Sequence, residues 1–171
     1  MSQEYIEQDQ RQKLWKLIKD VRFTMISHVT DKQEIHSQPM TMLNSDKMNE
    51  HENIYFLMKE NNDLVEAVNA GRNHLGLAFT KPSDDIYVSI SAHGEISTDA
   101  ALIDKLWNPW AENWFDGKTD PTVRVLIANP ISAEFWNVKD NKVTHLFKVL
   151  KGNLTGKTQE LDTEHNTLNL K

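Results

Sequence analysis

Residues 22–43, RFTMISHVTDKQEIHSQPMTML, decide how the rest of the chain is read. Arg22 to Thr30 and Glu34 to Leu43 are β-branched or alternate in polarity, and Asp31-Lys32-Gln33 between them has turn chemistry. The stretch therefore predicts a β-hairpin. If it turns at Lys32, His28 lies directly opposite His36. Upstream, Leu14, Leu17, Ile18 and Val21 stand at helical spacing, so an amphipathic helix over residues 10–20 is expected to lie on the sheet.

Downstream, a polar loop from Asn44 to Asn53 leads to Ile54-Tyr55-Phe56-Leu57-Met58, a run short enough for a strand covered on both faces. Asp63 and Glu66 make a capping-box pattern ahead of Leu64, Val65 and Val68, and Gly71 stands where a helix end favours positive φ. Further strands are expected at His74–Thr80 and Ile86–Ser97, turning at Pro82-Ser83-Asp84. Thr98 or Asp99 then caps a helix carrying Leu102, Ile103, Leu106 and Trp107. Asn108-Pro109 opens a second helix, with Trp110 and Trp114 one turn apart. Val123–Ala128 and Ala133–Val138 read as a final strand pair broken at Asn129-Pro130, followed by a helix over 142–152 and a polar tail over 157–171. Hairpins with helices inserted at intervals argue against βαβ winding. They point to an α+β, mainly β, antiparallel barrel of six to seven strands with peripheral helices.

Composition narrows the function. The 171 residues suit one domain, expected over 1–156. Asp plus Glu outnumber Lys plus Arg by 25 to 19, a net charge of −6, so neither nucleic acid nor an anionic membrane is an expected partner. No cysteine is present, which excludes disulfides, thiolate nucleophiles and Cys-ligated metals. Redox chemistry would need a borrowed cofactor. The polar start and short apolar runs lead us to expect a cytoplasmic protein. Two facing histidines with no third ligand in view read as surface groups, and no metal site is expected.

His36-Ser37-Gln38-Pro39-Met40, Ile54-Tyr55-Phe56-Leu57 and Tyr87-Val88-Ser89-Ile90-Ser91 occur in the order just derived. So do Leu106-Trp107-Asn108-Pro109-Trp110, Trp114-Phe115 and Ala133-Glu134-Phe135-Trp136. From about Leu14 to Gly156 the set resembles the flavin-binding split-barrel superfamily of pyridoxamine phosphate oxidase-like proteins, its general stress protein branch above all. The resemblance implies a homodimer with FMN at the subunit interface and a redox role whose substrate it does not name. It places Ser37, Gln38, Pro39 and Tyr87 at the flavin, with Phe56, Trp110 and Trp114 as candidate walls. Each of these aromatics has a packing alternative: Phe56 in the core, the tryptophans as a patch closing one end of the barrel.

For the phosphate, a strand ending near Lys59 and feeding a helix that starts near Asn62 would present free N–H groups, with Lys59, Asn61 and Asn62 as donors. The alternative is that the asparagines only cap the helix. The chain also departs from the pattern it resembles. Relatives carry Arg at Gln38, Thr at Leu57, Ser at Asn61 and Lys at Asp63, so FMN is expected to bind weakly or not at all. Two functions follow: an FMN-dependent oxidoreductase-like protein with unassigned catalytic residues, or a split-barrel dimer serving as a non-catalytic ligand-binding module.

Overall fold

The computed structural model describes residues 3–44, 53–138 and 163–170. Helix α1 spans Gln3–Val21, starting earlier than its apolar stripe, and buries Leu14, Trp15 and Ile18. It ends at Arg22, whose φ of 60° turns the chain sharply into the sheet. Strands β1 (Phe23–Val29), β2 (Ile35–Thr41) and β3 (Ile54–Lys59) follow, then α2 (Asp63–Asn69) and β4 (His74–Lys81). Next come a 3₁₀ turn (Pro82–Asp84), β5 (Ile86–Ser97), α3 (Ala100–Leu106), a second 3₁₀ turn (Ala111–Asn113), β6 (Val123–Val138) and β7 (Thr163–Asn169).

Among the described residues, seven strands form one antiparallel sheet ordered β2-β1-β4-β5-β6-β3, with β7 also on β6. The expected α+β antiparallel architecture is what forms. The hairpin register is as expected, with His28 opposite His36, and Gln33 takes φ 63° in its turn. Alternation sends Ile26, Leu77, Phe79, Val88, Ile90 and Phe135 into one core, closed by α1 and α2. A second cluster joins Ile103 and Leu106 of α3 to Tyr55, Val123 and Val125.

Several expectations need correction. Val123–Val138 is one strand, not two. Ala92 faces Pro130 while Ser91 faces Ser132, so Ile131 is an extra residue on β6. That bulge changes which residues point inward: Leu126 and Ala128 before it, Ala133 and Phe135 after it. The break-like Asn129-Pro130 is a parity switch inside a continuous strand. The helix expected at Asn108-Pro109 is only a 3₁₀ turn, with Asn108 Oδ1 accepting from the Trp110 N–H at 2.9 Å. Asn62, not Asp63, is the N-cap of α2, its Oδ1 accepting from the Leu64 N–H at 2.9 Å. Part of the expected polar tail is structural: β7 pairs with Ser132–Val138 and buries Leu168 in the core. The helix expected over 142–152 lies outside the described residues. No helix of the described residues is long and apolar enough to cross a membrane.

The strands at the two ends of the sheet order, β2 and β3, form no ladder with one another among the described residues. At one end they are joined. The Leu43 N–H donates to the Tyr55 carbonyl at 2.9 Å, and the buried Asn44 accepts from the Tyr55 N–H at 3.0 Å and donates to the Asn53 carbonyl at 2.6 Å. At the other end α2 follows β3 and places its N-terminus against β2, with side chains bridging the seam.

Candidate functional site

Strand alternation divides β2 into two chemically different faces. His36, Gln38 and Met40 stand opposite His28, Ile26 and Thr24, whose side chains are buried. Ser37, Pro39 and Thr41 point the other way, opposite the outward Ser27, Met25 and Phe23. Ser37 and Pro39 therefore point away from Gln38, on the opposite side of the edge strand.

The inward side of β2 meets the start of α2. Gln38 Nε2 donates to Asn62 Oδ1 and Asn62 Nδ2 donates to Gln38 Oε1, both at 3.0 Å. Gln38 Nε2 also lies 3.4 Å from Asp63 Oδ1, and the other Asp63 oxygen is hydrogen-bonded to His36 Nδ1. His28 Nε2 is 3.9 Å from that same oxygen. The His28 side chain is 1% exposed, and neither of its ring nitrogens has a hydrogen-bond partner among the described residues. Burial pushes the His28 pKa below its ordinary value, the Asp63 carboxylate opposes this, and His36 and Arg72 add to it. The surface reading of the histidine pair is thus wrong for His28 and incomplete for the pair, because the third group is supplied by α2.

The α2 terminus is not an open anion seat. Asn62 accepts from Leu64 through its side chain and from the Val65 and Glu66 N–H groups through its carbonyl. Of the expected phosphate donors, Asn62 is a cap and a bridge. Lys59 and Asn61 line a separate cleft of about 280 Å3 with Glu60, Asp116, Asp120 and Thr122. Three carboxylates against one ammonium make that cleft unsuited to an anion. Arg124 is drawn to Glu60 at 2.6 Å. Asp120 accepts from the Thr122 hydroxyl and from the Thr122 and Asp116 N–H groups, which hold its carboxyl below the ordinary value.

The outward face has different chemistry. Neighbouring strands present Ser27 and Ser37, whose hydroxyls are hydrogen-bonded at 2.7 Å, then Gly76, Ala78, Ser89 and Ser91, a floor of small side chains. Around it stand the exposed Phe23, Met25, Ile35 and Tyr87, with Ile35 at 78%. Phe56 is wholly buried in the core and forms no wall, while Leu57 packs beside the α3 cluster. Trp110 and Trp114 are 78% and 70% exposed beyond α3 and do not close an end of the barrel. The structure thus brings Ser37, Pro39 and Tyr87 to one sheet face and Gln38 and Asn62 to the seam. His28, His36 and Asp63 form a grouping the sequence reading missed. The hairpin register marked the first two, but no sequence spacing points to Asp63.

Residues 9–160 match the family described as pyridoxamine 5'-phosphate oxidase like. General stress protein 26 of Bacillus subtilis (strain 168) is 32% identical over 80 residues, a match covering 46% of this chain and 57% of that protein. The crystal structure of a protein assigned as general stress protein 26 from Jannaschia sp. CCS1 is similar at TM-score 0.71 and 26% identity, covering 95% of this chain and 99% of that one. The general stress FMN/FAD binding protein from Xanthomonas citri is similar at TM-score 0.65 and 29% identity, covering 78% and 92%.

Proposed function

This chain belongs to the pyridoxamine 5'-phosphate oxidase-like family, and on that premise we propose that it is a general stress-type flavin-binding protein that holds the isoalloxazine ring on its outward sheet face and grips the phosphate of FMN weakly. The small-residue floor carries this reading. Gly76, Ala78, Ser89 and Ser91 leave room for a planar ring to lie against the sheet, and Ser37 and Tyr87 border that floor with polar groups able to orient it. A relative of known structure is named as FMN/FAD binding, which supports the cofactor class.

The residues present fit the ring and not the phosphate. At the seam, Gln38 and Asn62 satisfy one another and Asp63 adds a negative charge. A bound flavin would supply electron transfer; the protein groups named here would only bind and orient it. No residue is assigned as catalytic. A second copy of the chain is the expected cover for Phe23, Met25, Ile35 and the two exposed tryptophans, since large aromatic and apolar side chains anchor interfaces. We propose the homodimer on these grounds, and the oxidoreductase role on the flavin class that a relative of known structure is named for. The self-satisfied seam also favours a second reading, a non-catalytic ligand-binding dimer.

Titration of the dialysed protein with FMN and with riboflavin, followed by tryptophan fluorescence, tests this. Comparable micromolar quenching by both flavins is expected, because the phosphate contributes little. A yellow cofactor retained stoichiometrically through dialysis would overturn the weak phosphate grip. Absence of quenching by either flavin would overturn flavin binding altogether and leave the ligand-binding dimer.

A further inference from the structure

We infer that His28, His36 and Asp63 form a binding site for one divalent transition-metal ion, with zinc as its simplest occupant. Each residue offers one ligand atom, and these atoms all lie within 4.8 Å of one another. A tetrahedral zinc with ligands at about 2.0–2.2 Å holds them about 3.3 Å apart. His28 Nε2 already stands 3.9 Å from the Asp63 carboxylate. The direct His36–Asp63 contact has to open to admit the ion, and both side chains are about half-exposed, at 47% and 48%, so they are free to move.

His28 gives independent support. It is buried against the start of α2, both ring nitrogens lack a partner among the described residues, and Nε2 is the nitrogen near Asp63. Buried polar groups are ordinarily satisfied, and an unpaired imidazole beside a second imidazole and a carboxylate is the arrangement a metal ion completes. Two nitrogens and one carboxylate oxygen suit zinc, cobalt, nickel, copper or ferrous iron better than magnesium or calcium, which demand more oxygen ligands. Three protein ligands leave at least one position for water or an exogenous ligand. The hairpin register fixes the two histidines and α2 supplies the third group, so the site assembles only when the seam forms. It does not depend on flavin binding.

The 171-residue chain, treated with EDTA and dialysed into metal-free buffer, is to be titrated with Zn²⁺ by calorimetry and with Co²⁺ by visible absorbance. One ion per chain and a cobalt d–d band of low-coordinate intensity are expected. His36→Ala and Asp63→Asn, both at exposed side chains, should each weaken binding at least tenfold with circular dichroism unchanged. His74→Ala is the control: the His74 and His93 rings meet edge to face with centroids 4.5 Å apart, but among the described residues no third ligand completes that pair. Wild-type protein that takes up no ion, or whose binding survives both seam substitutions, or is lost with His74→Ala instead, would overturn the site.

Discussion

Gln38 and Asn62 face one another across the barrel seam and exchange two hydrogen bonds of 3.0 Å, each amide donating to the other's oxygen. Asn62 simultaneously caps α2, so one side chain ties the start of that helix to the edge strand β2. An anion entering here would have to separate the amides and approach Asp63. The pair therefore strengthens the fold at the seam and disfavours an anion there.

Restoring charge at the seam should reverse that preference. The double substitution Gln38→Arg, Asp63→Lys is expected to tighten FMN binding at least tenfold, about 1.4 kcal/mol, while leaving riboflavin within about twofold. Parallel fluorescence titrations of the two flavins provide the measurement. Equal gains for both would place the phosphate elsewhere.

Leu168 tests the role of β7. Its side chain is 3% exposed in the main core, opposite Ala133. Leu168→Ala should cost about 2–5 kcal/mol, seen as a lower urea midpoint with an unchanged m-value. A loss near zero would mean that β7 does not pack as a core strand.

Gly94 is a packing constraint. A Cβ there would lie 2.8 Å from Leu75 Cδ1 and 3.1 Å from Val68 Cγ2, where α2 presses on β5. Leu75 can yield, but the β-branched Val68 is stiff, so Gly94→Ala should destabilise by about 1–3 kcal/mol. Gly76→Ala, whose Cβ would be 3.8 Å from Ser27 Cβ, should be tolerated. Similar denaturation midpoints for the two variants would refute the close approach.

Asp120 should contribute to acid sensitivity. The Thr122 hydroxyl first, then the Asp116 and Thr122 N–H groups, depress its folded pKa below the unfolded value of about 3.9. Its contribution is therefore complete above that value and disappears as pH falls through the depressed one. Asp120→Asn should lower Tm at pH 7, and the gap from wild type should shrink as pH falls below about 4. A gap independent of pH would remove Asp120 from the linkage.

The sequence alone determined the sheet and its main inward face. The alternation in β1, β4 and β5 records which residues leave water, and burial of apolar surface is the dominant favourable term in folding. The turn at Lys32 likewise set His28 opposite His36, because pairing in a tight hairpin is local. Tertiary structure decided the rest. The Ile131 bulge, the inclusion of β7 and the joining of His28 to Asp63 all depend on how distant segments meet, and local spacing carries no record of that. Ser37 and Gln38 show the division most plainly: their neighbouring places in the chain dictated opposite faces, but only closure of the seam against α2 made Gln38 a bridge to Asn62.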